Sequence, residues 1–160
     1  MTDVVVEFEL NGQIRYDSAV SANVMLAEYL HKSCGLHGAR IGCSRGICGA
    51  CTVLIDGRPV AACSMFTFQV DGARVTTIEG LGASGEPDPI QQAFIDNAAF
   101  QCGYCTAGMI LMTKALLAHD PNPDHATIVA WISSNVCRCA GYPQIIAAVE
   151  DAARRLRGTT

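Results

Sequence analysis

Eight of the nine cysteines fall into two sets, and the fold has to draw each set together. The first set, Cys43, Cys48, Cys51 and Cys63, is spaced C-x4-C-x2-C-x11-C. The second, Cys102, Cys105, Cys137 and Cys139, is spaced C-x2-C-x31-C-x-C. Thiols at this density pair as disulfides or bind metal. Either use requires segments separated by 31 residues to close on one point.

Metal is the better reading. Nine is an odd count, which suits eight ligands and one free thiol better than a fully paired framework. The opening residues, MTDVVVEFEL, carry acids and no basic region, so no secretory signal is visible there. Half of the chain is hydrophobic, enough to build cores without disulfide staples. C-x4-C-x2-C with a distant fourth cysteine is the spacing of plant-type [2Fe–2S] ligation, so the reading is two [2Fe–2S] clusters, one per set. Tetrahedral zinc is the rival metal, since four thiolates suit it too. The first set's spacing argues against zinc more strongly than the C-x-C of Cys137 and Cys139 does.

The formal charge is -4, and the only basic cluster is Arg154, Arg155 and Arg157. That is no nucleic-acid footprint. No apolar run reaches the ~18 residues of a membrane span. The expectation is a soluble protein of a reducing compartment, the cytoplasm, or one exported already folded by a partner's signal.

Taken in order, residues 4–10 alternate, Asn11-Gly12 turns, and residues 13–16 return as a hairpin. Residues 21–32 read as a helix with Ser21 as cap. The cysteine loop holds Gly38, Gly42, Gly46 and Gly49, as backbone wrapped closely round an inorganic core requires. Residues 52–55 and 59–63, joined at Asp56-Gly57, form a second hairpin, and strands are expected at 67–70 and 75–78. A glycine-rich link, residues 80–87, then marks a domain boundary. Helices follow at 89–100, 104–119, 125–134 and 142–156. Their inward residues are expected to include Ile90, Phe94, Met109, Leu116, Ile128, Val129, Ile145, Val149 and Leu156.

This layout gives the second cysteine set a place. Cys102 and Cys105 straddle the start of the second of these helices, and Cys137 and Cys139 precede the fourth. Two αα-hairpins packed about a pseudo-twofold axis would bring all four sulfurs together. Two helix N-termini would then face an anionic cluster. Cys34 reads as a buried unliganded thiol. His31, His37, His119 and His125 show no ligand spacing, and Trp131 and Tyr142 read as core or interface anchors. There is no P-loop, Ser-His-Asp set or dinucleotide fingerprint.

The segments Gly42-Cys43, Cys48-Gly49-Ala50-Cys51-Thr52-Val53, Gln101-Cys102-Gly103-Tyr104-Cys105-Thr106-Ala107-Gly108-Met109 and Asn135-Val136-Cys137-Arg138-Cys139-Ala140-Gly141-Tyr142 carry a resemblance. The chain resembles the small iron–sulfur subunit of the xanthine oxidase-type molybdenum hydroxylases, over nearly its whole length. The resemblance implies an α+β chain: a β-grasp, plant-ferredoxin-like domain over residues 1–80, then an all-α four-helix domain of two αα-hairpins over residues 81–160. It implies a large partner bearing a molybdenum–pterin cofactor, and a middle FAD-bearing subunit or an external electron acceptor. The cluster of Cys102, Cys105, Cys137 and Cys139 would lie near the pterin and that of Cys43, Cys48, Cys51 and Cys63 near the flavin. Gln101 matches the glutamine that hydrogen-bonds the pterin across the interface. Electrons would pass from molybdenum through both clusters during water-dependent hydroxylation of an aldehyde or N-heteroaromatic ring. Ala107 stands where the family usually has proline, Ala140 where it often has threonine, and no flavin or molybdenum domain is attached, unlike the fused members. The alternatives are a free two-cluster ferredoxin and a zinc-bound structural or interaction module.

Overall fold

A computed structural model describes residues 3–82 and 85–158. Ala83 and Ser84 of the expected link lie outside the described residues. Asn11 and Gly12 both take positive φ, 52° and 82°, which fits the tight turn joining β1 (Asp3–Leu10) to β2 (Gln13–Ser21). Asp56 and Gly57 do the same between β3 (Thr52–Ile55) and β4 (Arg58–Ala61). β5 (Arg74–Thr76) runs parallel to β1 and antiparallel to β3, closing a mixed sheet of order β2-β1-β5-β3-β4. Helix α1 (Leu26–Lys32) covers one face, where Leu26, Tyr29 and Leu30 bury against Val6, Phe8, Val53 and Val75. This is the β-grasp arrangement that the resemblance implies.

Three local expectations change. Ser21 caps nothing: β2 continues to Ser21, opposite Asp3, because Val20 is a core residue. Helix α1 therefore starts later, after Met25, without a side-chain cap. Residues 67–70 form a 3₁₀ turn, not a strand. Thr67 donates to the Val24 carbonyl, before α1, and Gln69 accepts the Phe66 amide, so the segment's bonds go to a loop and to its own turn and it joins no ladder. Residues 78–80 likewise leave the sheet in a 3₁₀ turn after β5.

The second half is helical. Asp88 caps α2 (Pro89–Asp96), and its backbone N–H donates in return to Gln91 Oε1. The helix ends before residue 100 because Asn97 bonds back to the Ala93 carbonyl and Ala98 turns to φ 47°. Helix α3 (Thr106–His119) buries residues on every side, from Met109 to Leu117. Asp124 caps α4 (His125–Ile132), and α5 (Tyr142–Leu156) matches its expected span. The core joins Ile90, Phe94, Met109, Leu116, Ile128, Ile132, Ile145 and Val149. Val129 and Leu156, expected inside, are 40% and 52% exposed. Leu54 of β3 packs on Leu111 and Ala115 of α3, so the sheet and the helices share one apolar seam. Among the described residues no helix is long and apolar enough to cross a membrane.

Candidate metal centres

All nine cysteines stand unpaired. In the first loop, Ser44, Gly46 and Gly49 take positive φ of 53°, 69° and 68°, curling the chain so that its amides point inward. Cys43 Sγ accepts from the N–H groups of Arg45 and Ile47, each at 3.4 Å. Cys63 Sγ accepts from Gly46 at 3.4 Å, and Cys51 Sγ from Cys63 at 3.4 Å. Glycine suits position 46: its φ is left-handed, and a Cβ there would stand 2.8 Å from Ser64 Oγ, which would have to move. The amides of Cys48, Arg45 and Ile47 pull the Cys43 thiol down to about 6. Burial pushes the Cys51 thiol up to about 12, and the neighbouring Cys63 thiol adds to that push.

The second set comes together as its position between helices requires. Cys102, Cys105, Cys137 and Cys139 line one cavity of about 160 Å³, with Ile145 on its wall. Thr106, directly after Cys105, opens α3, and Tyr142 opens α5 shortly after Cys139. Both helices thus present their N-terminal turns toward the sulfurs. Cys137 Sγ accepts from Gly141 N–H at 3.4 Å. The Tyr104 N–H and the Cys139 side chain lower the Cys102 thiol. Burial, with Cys137 alongside, raises Cys105 to about 12.

The residues of both loops suit a metal–sulfur core. Amides face the sulfurs, where thiolate charge would sit. Burial raises the thiols of buried Cys51 and half-buried Cys105, so a bound cation would have to displace their protons. The sulfurs act on one another chiefly in pairs, Cys43 with Cys48, Cys51 with Cys63, Cys102 with Cys139, and Cys105 with Cys137, with weaker coupling of Cys51 to Cys48 and of Cys105 to Cys102. Paired thiolates suit a binuclear iron core, two to each iron, whereas structural zinc gathers its ligands on one centre.

Gln101 is exposed at the rim of the second cavity, where its Nε2 donates to the Cys139 carbonyl at 3.3 Å. Cys34 is half-buried near Arg15, and burial raises its thiol. Of the histidines, His31 meets the Ala39 carbonyl and His125 meets Glu150. Two residues matter more than their sequence suggests. The Tyr142 hydroxyl accepts from Cys137 N–H at 2.9 Å and donates to the Asn135 carbonyl at 3.1 Å, which splints the second ligand loop. Asn135 itself is 1% exposed and reaches across to the first loop. No spacing rule signals either one, because both act through backbone groups.

Two family models match. The one described as a 2Fe-2S iron-sulfur cluster binding domain covers residues 11–87, and the one described as a [2Fe-2S] binding domain covers residues 77–150. The chain is 43% identical to the nicotinate dehydrogenase small FeS subunit of Eubacterium barkeri, over 97% of this chain and 98% of the relative. It is 40% identical to the aldehyde oxidoreductase iron-sulfur-binding subunit PaoA of Escherichia coli, over 93% of this chain and 71% of that one. Among solved structures, quinoline 2-oxidoreductase from Pseudomonas putida superposes with a TM-score of 0.91 at 36% identity, covering 100% of both chains. The aldehyde oxidoreductase of Desulfovibrio desulfuricans superposes at 0.93 with 40% identity, matching 98% of this chain and 18% of the longer one. With two [2Fe–2S]-binding domains in this order and relatives matched end to end, the chain belongs to the small iron–sulfur subunits of the xanthine oxidase-type molybdenum hydroxylases, as their electron-transfer component.

Proposed function

We propose that Cys43, Cys48, Cys51 and Cys63 hold one [2Fe–2S] cluster and that Cys102, Cys105, Cys137 and Cys139 hold the other. The observation that carries this reading is the pairing of sulfurs in both sets, with backbone N–H groups aimed at them. When bound, such clusters supply one-electron redox chemistry. The chain's own work is ligation, amide donation to sulfur, and exclusion of water by residues such as Ile145 and Ala62. The domain division falls near residue 80, after the last strand.

We infer the wider assembly from membership of the family. A large partner carries the molybdenum–pterin cofactor, and an FAD-bearing subunit or an external acceptor takes the electrons. Cys102 is the exposed member of the second set, and Gln101 beside it is exposed at the same rim, where a partner's cofactor would meet it. The names nicotinate dehydrogenase, aldehyde oxidoreductase and quinoline 2-oxidoreductase point to an aldehyde or N-heteroaromatic substrate on that partner.

Cys102→Ser in the purified assembly tests the assignment. It should remove or alter one cluster's electron paramagnetic resonance signal and slow turnover, while the other signal persists. An unchanged spectrum refutes it.

A further inference from the structure

The two cysteine loops come from different halves of the chain, yet they touch. We propose that Asn135 is a positioning residue that locks these loops to each other through Gly49, so that both move as one body. The functional value of that lock rests on the cluster assignment above; the lock itself does not.

Asn135 stands two residues before Cys137, and Gly49 lies between Cys48 and Cys51. Asn135 Nδ2 donates to the Gly49 carbonyl at 3.2 Å. That oxygen also accepts from Thr52 N at 3.1 Å and Thr52 Oγ1 at 2.7 Å, so it is held from both domains. The next residue, Val136, donates its N–H to the carbonyl of Cys48 at 2.9 Å. Two successive residues of the second loop therefore bond two successive carbonyls of the first. The neighbours leave no slack. A Cβ on Gly49 would run into the Asn135 carboxamide, and Gly49 also needs its φ of 68°. A Cβ on Gly108, in the first turn of α3, would meet the Gly49 carbonyl and stand 3.0 Å from Asn135 Nδ2. Loop one, loop two and α3 thus converge on one buried carboxamide. Ser134 Oγ, whose proton goes to the Trp131 carbonyl at 2.7 Å, stands 3.3 Å from Oδ1, and the Asn135 carbonyl accepts from the Tyr142 hydroxyl. A purely apolar contact could slide; this carboxamide cannot without leaving its buried Nδ2 donor unmet.

Such a lock fixes the separation of whatever the two loops hold. Hydrogen exchange on the assembled wild-type protein tests it without any variant. The Val136 amide should be protected as strongly as the core amides of Met109 and Leu116; exchange at exposed-loop rates overturns the lock. Asn135→Ala should speed exchange at Val136 about 10-fold, the factor that about 1.4 kcal/mol gives. In the reduced assembly each singly reduced cluster is paramagnetic, and their mutual magnetic splitting reports their separation. Asn135→Ala should keep both signals and lose the resolved splitting, with Asn135→Asp doing the same by turning an oxygen toward the Gly49 carbonyl. Full splitting in both variants overturns the positioning role. A chain without iron refutes the cluster assignment instead, and the exchange result still judges the lock.

Discussion

Replacing Tyr142 with phenylalanine removes one oxygen and keeps the ring. That oxygen joins the Cys137 amide to the Asn135 carbonyl, at 2.9 and 3.1 Å. Its loss leaves a half-buried N–H next to a ligand thiol and a carbonyl on a residue that is 1% exposed. Each net hydrogen bond contributes about 0.5–1.5 kcal/mol, and an orphaned buried group costs about 1–3 kcal/mol. The two together give about 2 kcal/mol of lost stability. In a chain of this size that lowers Tm by about 4–8 °C. The second ligand loop bears the loss, so the cluster held by Cys102, Cys105, Cys137 and Cys139 should bleach before the other. Thermal melts followed by circular dichroism and by visible absorbance measure both effects. A Tm within about 1 °C of wild type, with both clusters bleaching in the wild-type order, refutes the splint.

Leu111→Ala should cost about 2–5 kcal/mol, because Leu111 fills the seam between Leu54 and Ala115 and is 1% exposed; chemical denaturation measures it, and a loss under about 1 kcal/mol would mean that the seam collapses freely. Arg155 bridges Asp96 of α2 and Asp151 of α5 at 2.7 Å each, and its hydrogen bond to Asp96 holds that carboxyl below the ordinary 3.8. A carboxyl depressed in the folded state stabilises above its ordinary pKa and loses that effect as pH falls through the folded value. Wild type should therefore exceed Arg155→Gln in Tm by a small constant amount from pH 7 to about 5, and the gap should close below about pH 4. A gap that persists unchanged to about pH 2 contradicts the pairing.

Hairpins and helices were legible wherever local chemistry decides them. Asn11-Gly12 and Asp56-Gly57 turn because those residues tolerate positive φ, and α5 matches because Pro143 and its apolar stripe mark one helix. The cysteine sets were legible because ligand spacing is written in sequence, and the pairing of helices that gathers the second set followed from it. Residues 67–70 misled because a short apolar run looks alike in a strand and in a 3₁₀ turn. Only the partner contacts to Val24 and Gln69 separate the two. Ser21 misled because a good cap residue is also an acceptable strand end. Asn135 and Tyr142 were invisible as working residues, since their partners are backbone atoms of Gly49, Cys137 and Asn135 that no pattern of side chains records. Val129 fits the helical period but lies where α4 faces outward.

What the eight thiols of the two sets hold decides the function. Purification of the assembled protein from its own host, with iron, acid-labile sulfide, zinc and molybdenum measured against this chain, tests that. Two binuclear clusters give about four iron and about four sulfide per chain, with molybdenum on a co-purifying larger subunit. Zinc without sulfide, or iron at half that amount, would contradict it.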